Sequence, residues 1–243
     1  MPDAHRRRAT VVTDGNPWHE RAEAYARVVA GREQGESTSS PLVARLFECL
    51  GDVTDKDVLD AGCGEGFLSR ILVARGARVT GVDVSPRLVD LARGRDPSGT
   101  IEYRVADLSR PLPDLAERFD RVASMLVLND VADFIGFANT LYSLARPGAR
   151  AALLFNNPYS FPMRGDGHVL DYFASGTQGV YGGMSNLLGN TVRYHHRTLE
   201  EYVDAFLGAG WRLTKLADVA HRPPPPPGES RISFFMILAF DKM

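Results

Sequence analysis

The chain has 243 residues, of which 44% are hydrophobic and 24% charged, and its formal net charge is −2. That length fills one α/β domain and falls short of two, and the charge balance offers no basic face for a nucleic acid. No apolar run approaches the ~20 residues that span a bilayer, no signal-peptide core follows the N-terminal charges, and Cys49 and Cys63 suit neither a zinc site nor a disulfide framework. The expectation is a cytoplasmic protein with no metal, no membrane and no nucleic-acid partner.

Along the chain, Arg6-Arg7-Arg8 reads as a solvated tail. Asn16 and Pro17 then look like the cap and first residue of a helix, with Trp18, Ala22, Tyr25 and Val29 on one face. Short apolar runs suited to buried strands follow at Val58–Ala61, Arg78–Val82, Ile101–Ala106, Phe119–Met125 and Ala149–Phe155. Helical patterns separate them. One carries Leu68, Ile71 and Leu72. The next starts at Ser85-Pro86 and carries Leu88, Val89 and Ala92; a third has Phe134, Phe137, Ala138 and Leu141 before Pro147-Gly148.

Residues Asn156 to Arg197 are rich in Gly, Asn and aromatics and show no clear period, which suggests a functional insert. Thr198 with Glu201 forms a capping box ahead of Tyr202, Ala205 and Phe206, and Gly210 ends that helix. Two further strands come late, Trp211–Val219 and Ile232–Phe240, with the stiff loop Pro223–Pro227 between them. The alternation of strands and helices predicts a Rossmann-like α/β fold, a parallel sheet with helices on both faces.

Chemistry concentrates where the first three strands end. Val58-Leu59-Asp60-Ala61-Gly62-Cys63-Gly64-Glu65-Gly66 runs from a buried strand into a glycine-rich turn. The next helix should present free N–H groups and a partial positive charge there. A dinucleotide fingerprint would place its third glycine at position 67, where this chain has Phe67. Asp60 is suited to a cationic amine and out of place beside a pyrophosphate. Asp83, followed by Val84, can take both hydroxyls of a ribose, and Asp107, followed by Leu108, can accept from an adenine amino group while Leu108 packs on the ring. The pattern favours a ligand with an ammonium group and no phosphates.

These residues resemble the S-adenosylmethionine-binding core of class I methyltransferases: Asp60–Gly66 the first motif, Asp83 the second-strand acid, Asp107 the adenine-contacting acid. The resemblance is good from Val58 to Phe155 and looser beyond. It implies a seven-stranded sheet whose last strand is antiparallel, with an insert or lid after strand five. It also implies S-adenosyl-L-methionine as cofactor, with S-adenosyl-L-homocysteine as product. On that reading Tyr25, Asp60, Gly62, Gly64, Asp83, Val84, Asp107, Leu108 and Met125 bind the cofactor. The chain divides into an N-terminal helical cover (1–50), a cofactor-binding core (51–155), a substrate-side insert (156–197) and a closing helix and strands (198–243), all one methyltransferase domain.

Many relatives carry a histidine in the turn after the fourth strand; here that turn is Val127-Leu128-Asn129-Asp130. Asn129 could contact the acceptor or cap the helix that begins near Asp133. His168, His195 and His196 are the other base candidates, with His195 and His196 equally readable as a hinge. Tyr159, Tyr172, Phe173 and Tyr181 suggest a planar or partly apolar small-molecule acceptor. The expected activity is methyl transfer to oxygen, nitrogen or carbon, in specialised metabolism. A cofactor-binding member repurposed for another step, such as a cyclisation, and a nicotinamide oxidoreductase are the alternatives. The insert, with the helix Asn16–Ala30, is expected to cover the acceptor. No feature of the sequence specifies an oligomeric state.

Overall fold

The structure is a computed structural model that describes residues 17–36, 40–96, 99–160, 171–176, 178–180, 193–220 and 233–243. Arg6–Arg8, Asn16, His168, Tyr181 and Pro223–Pro227 lie outside the described residues. The first elements are α1 (Pro17–Glu20), α2 (Ala22–Glu36), α3 (Pro41–Leu50), β1 (Asp57–Ala61), α4 (Phe67–Ala74), β2 (Arg78–Asp83), α5 (Pro86–Gly94) and β3 (Glu102–Val105). There follow β4 (Phe119–Met125), α6 (Phe134–Leu144), β5 (Ala145–Asn156), β6 (Gln178–Val180), β7 (Arg193–His195), α7 (Leu199–Gly208), β8 (Trp211–Val219) and β9 (Phe235–Lys242).

Seven strands form one sheet in the order β3-β2-β1-β4-β5-β9-β8. β1 to β5 pair in parallel, and β9 runs antiparallel to both β5 and β8, as the sequence led us to expect. Successive strand residues point to opposite faces, so each strand supplies two cores. Val58, Leu154 and Ile237 pack with Leu46 of α3, Leu72 of α4 and Val89 of α5. Their chain neighbours Leu59, Leu153 and Leu238 pack with Leu141 of α6 and Phe206 of α7 on the other face. All of these side chains are fully buried, which contributes roughly 1.5–3 kcal/mol each.

Local signals act as read. Ser85 Oγ accepts the N–H of Leu88, and the Thr198–Glu201 capping box is complete. Two expectations need correcting. The N-terminal helix is two helices, broken by a turn residue at Arg21, and the second continues to Glu36. The insert is not without regular structure: β6 and β7 pair as a two-stranded antiparallel sheet, three residues long on each side. A three-residue strand is too short to show a period. No helix among the described residues is long and apolar enough to cross a membrane.

Candidate active site

The turn between β1 and α4 is held from inside. The N–H groups of Gly62 and Cys63 both donate to Val82 O, that of Gly64 donates to Asp83 Oδ2 at 2.9 Å, and that of Gly66 donates to Cys63 O. Gly62, Gly64 and Gly66 all have positive φ, at 80°, 54° and 86°. Gly62 is also required by space, since a Cβ there would lie 2.3 Å from Val127 Cγ2. These four turn amides are spent on the protein. A phosphate would need such donors.

Asp60 explains how α4 starts. Gly66, its N-cap residue, has no side chain to offer, so the carboxylate arrives from β1 instead. Asp60 Oδ2 accepts from Ser69 Oγ at 2.6 Å, and the Ser69 N–H donates to the same carboxyl. A negative group against the first turn of a helix is favourable. Asp60 is only 1% exposed, so its side chain lies beneath the turn and not on the cleft wall. Burial, opposed by the Ser69 bonds and reinforced by nearby Asp83 and Glu65, pushes its carboxyl up to about 7.

Asp83 closes β2, where Asp83 pairs with Val105 of β3. Its Oδ1 accepts the Ser85 N–H and its Oδ2 the Gly64 N–H, both at 2.9 Å, and the N–H of half-buried Val84 also donates to it. Desolvation raises this carboxyl above the usual carboxylate value despite those donors. Asp107 lies two residues past β3, with a half-exposed side chain whose Oδ1 accepts the Ser109 N–H. Leu108 is buried with Leu59, Ala61 and Val82 in the core on the α6 face. The carboxyl ends of three neighbouring strands thus carry the glycine turn, Asp83 and Asp107 on one edge, where open α/β sheets bind ligands.

Tyr25 of α2 lies against this edge: a Cβ built on Gly64 would be 3.7 Å from its Cε1, an ordinary contact. Trp18 meets the Tyr25 ring edge-on, with centroids 5.3 Å apart. Half-buried Met125 ends β4 and packs on the first core. The next residue, Leu126, has φ +62°, a sparsely populated conformation for a side chain with a Cβ, and its N–H bonds to Leu154 O at 2.7 Å. Leu126 and Val127 lie in the turn after the fourth strand that the sequence pointed to, but the strained backbone at Leu126 was not foreseen. Strain in a turn leaves no pattern that periodicity could detect.

Asn129 is a structural junction. Its Nδ2 donates to the Tyr202 hydroxyl at 3.2 Å, its Oδ1 accepts the Asn156 N–H at 3.2 Å, and its carbonyl accepts the His195 N–H at 2.7 Å. The helix near Asp133 is capped by Asp133 itself, through the Gly136 N–H. Asn129 therefore ties the turn after β4 to β5, β7 and α7, and it caps nothing.

His195 is partly buried, and burial with the Arg197 charge holds its imidazole below the ordinary value of 6.5. His196 is buried, with Nε2 2.8 Å from Tyr172 O, so that nitrogen carries the proton. Tyr159 and Tyr172 stack at 4.7 Å, Phe173 abuts Tyr172 edge-on, and the Phe173 side chain is 81% exposed. Tyr159 follows the carboxyl end of β5, which runs parallel to β4 and β1 and so ends on the edge that carries the glycine turn.

Residues 59–153 match the family described as a methyltransferase domain. A ubiquinone biosynthesis O-methyltransferase from Methylocella silvestris is 39% identical over 126 residues, 49% of each chain. A demethylmenaquinone methyltransferase from Tropheryma whipplei is 33% identical over 114 residues, covering 46% of this chain and 47% of that one. The chain spans about half the length of the curated relatives it matches. Among solved structures, an S-adenosylmethionine-dependent methyltransferase from Mesorhizobium loti superposes with a TM-score of 0.69 at 24% identity, over 83% of this chain and 98% of that one.

Proposed function

We propose that this chain, whose residues 59–153 match the methyltransferase-domain family and whose sheet has the fold of S-adenosylmethionine-dependent methyltransferases, transfers a methyl group to a small planar acceptor. One observation carries the reading: the glycine turn has turned its amides inward and presents carboxylates along the same edge. Such an edge repels a pyrophosphate. It suits a ligand with a cationic end, ribose hydroxyls and an adenine amine, which is the chemistry of S-adenosylmethionine.

The residues present fit that cofactor. The Tyr25 ring lies beside Gly64, and an aromatic face can receive a cation. With three of its acceptor sites used by backbone N–H groups, Asp83 keeps about one for a ribose hydroxyl, and half-exposed Asp107 is open to the adenine amine. When bound, S-adenosylmethionine supplies an electrophilic methyl on sulfur. The protein's part is then to align the acceptor in line with that methyl and to exclude water. The aromatics Tyr159, Tyr172 and Phe173 offer flat apolar surface to a planar acceptor, and the quinone names of the relatives point the same way. His195, kept neutral at pH 7 by its depressed pKa, is the base we assign for an acceptor that must lose a proton. The buried, free thiols Cys49 and Cys63 support a reducing, cytoplasmic setting, and specialised metabolism is the setting we infer.

The test is to incubate the protein with methyl-labelled S-adenosylmethionine and a panel of planar phenols, carboxylic acids and amines. Mass spectrometry should find label on at least one acceptor together with S-adenosylhomocysteine. Tight cofactor binding with no labelled acceptor and no S-adenosylhomocysteine would reject methyl transfer and leave a repurposed cofactor site.

A further inference from the structure

Glu65 stands in the middle of the glycine turn, yet its side chain is only 1% exposed. A carboxylate this buried must be paired, or it would be neutral. It has two partners. Arg70, from the first turn of α4, donates to the Glu65 carboxylate at 3.2 Å and to the Glu65 carbonyl at 2.8 Å. Arg95, at the C-terminal end of α5, donates Nη1 to Glu65 Oε2. The other arm of the same guanidinium, Nη2, donates to Ala26 O at 3.1 Å.

Ala26 follows Tyr25 in α2, so one rigid planar fork holds the cofactor turn with one tine and the helix that carries Tyr25 with the other. A guanidinium fixes the two directions relative to each other in a way an ammonium does not. A second link between α2 and α5 exists, Arg87 with Glu23, but its side chains are 50% and 41% exposed. Ion pairs that open to water contribute at most about 1 kcal/mol. The Glu65–Arg95–Ala26 chain, closed at its Glu65 end, is therefore the stronger tie.

We propose that Glu65 and Arg95 form a latch joining the glycine turn to α2, which makes Glu65 a positioning residue for Tyr25 over the cofactor. The latch rests on the reading of this edge as a cofactor site. Glu65 does not touch the ligand; it acts through Arg95. Its effect runs both ways, because a tie that seats the helix when the turn is ordered also orders the turn when the helix is seated. Arg70 alone would give Glu65 a purely local role in the turn, and the experiment separates the two.

Hydrogen exchange over residues 22–30 in the ligand-free protein is compared for wild type, Glu65→Gln, Arg95→Lys, and Arg87→Met as a control. Arg95→Lys keeps a positive charge beside Glu65 and loses the second tine. Exchange should speed up at least about threefold in Glu65→Gln and Arg95→Lys, and stay near wild type in Arg87→Met. Calorimetry with S-adenosylhomocysteine should show weaker binding in both latch variants, and the double variant should lose no more than the worse single one. Wild-type exchange in both latch variants, or affinity losses that add, would overturn the latch. Should Glu65→Gln fail to fold, Arg95→Lys carries the test alone, because it leaves the buried carboxylate paired. A wild-type protein that binds no S-adenosylhomocysteine would reject the cofactor reading, while the exchange comparison would still decide the latch.

Discussion

Asp83 Oδ2 accepts the Gly64 N–H at 2.9 Å, so the acid that ends β2 is bonded to the turn that follows β1. That single bond does two things. It removes a backbone donor that a phosphate would use, and it fixes a carboxylate beside the glycine over which Tyr25 lies. The turn and the acid therefore form one unit, set by the parallel register of β1 on β2, in which Ala61 pairs with Val82.

Replacing Asp83 tests that unit. In Asp83→Ala, affinity for S-adenosylhomocysteine should fall at least tenfold, about 1.4 kcal/mol, through loss of charge-assisted bonds. Asp83→Asn retains an oxygen for the Gly64 N–H and should fall less. Titration calorimetry on folded protein measures both. Unchanged affinity in Asp83→Ala would make Asp83 a turn residue alone.

Gly62→Ala should be costly. The new Cβ would need a φ of 80° and would sit 2.3 Å from Val127 Cγ2. Strain and overpacking together predict a loss of about 2 kcal/mol or more in denaturant unfolding. Adding Val127→Ala should recover part of it by removing the clash while leaving the strained φ. A wild-type midpoint for Gly62→Ala would contradict the close approach.

Most of the sheet was legible because buried parallel strands write themselves as apolar runs, and because the caps at Ser85 and Thr198 are local chemistry. The acids at the carboxyl ends of β1, β2 and β3 were legible as a set through their spacing. Their orientation was not. Whether Asp60 faces a ligand or caps α4 depends on Gly66 lacking a side chain and on Ser69 standing one turn on, a relation between elements. The capping role offered for Asn129 failed for the same reason: its partners Tyr202, Asn156 and His195 are distant in sequence. The β6–β7 pair was too short to show a period, and nothing in the letters Leu126 announces a positive φ.

Asp60 should leave a signature in stability against pH. Its carboxyl is raised from an ordinary 3.8 to about 7, so the folded protein holds a proton that the unfolded chain has released. The contribution is fully present below the unfolded value and is lost as pH rises through about 7. Asp60→Asn, neutral throughout, should gain stability relative to wild type as pH is raised across that window. Urea unfolding at several pH values measures this, and parallel curves for the two proteins would show that Asp60 does not titrate there.

His195 can be tested by rate. With its imidazole held below 6.5, kcat/KM for a phenolic or amine acceptor should rise through that lower value and level off by neutral pH. His195→Asn should abolish the rise and lower kcat by about a hundredfold, the low end of what a positioned base supplies. A wild-type profile unchanged by the substitution would exclude His195 as the base.

The most direct measurement is a pair of titrations on the wild-type protein, one with S-adenosylhomocysteine and one with NADH. The inward-bonded turn and the acids at Asp83 and Asp107 should give micromolar-range binding of S-adenosylhomocysteine and no measurable binding of NADH, whose pyrophosphate would meet a turn with four amides already bonded to the protein. NADH affinity equal to or tighter than that of S-adenosylhomocysteine would contradict the assignment of this edge.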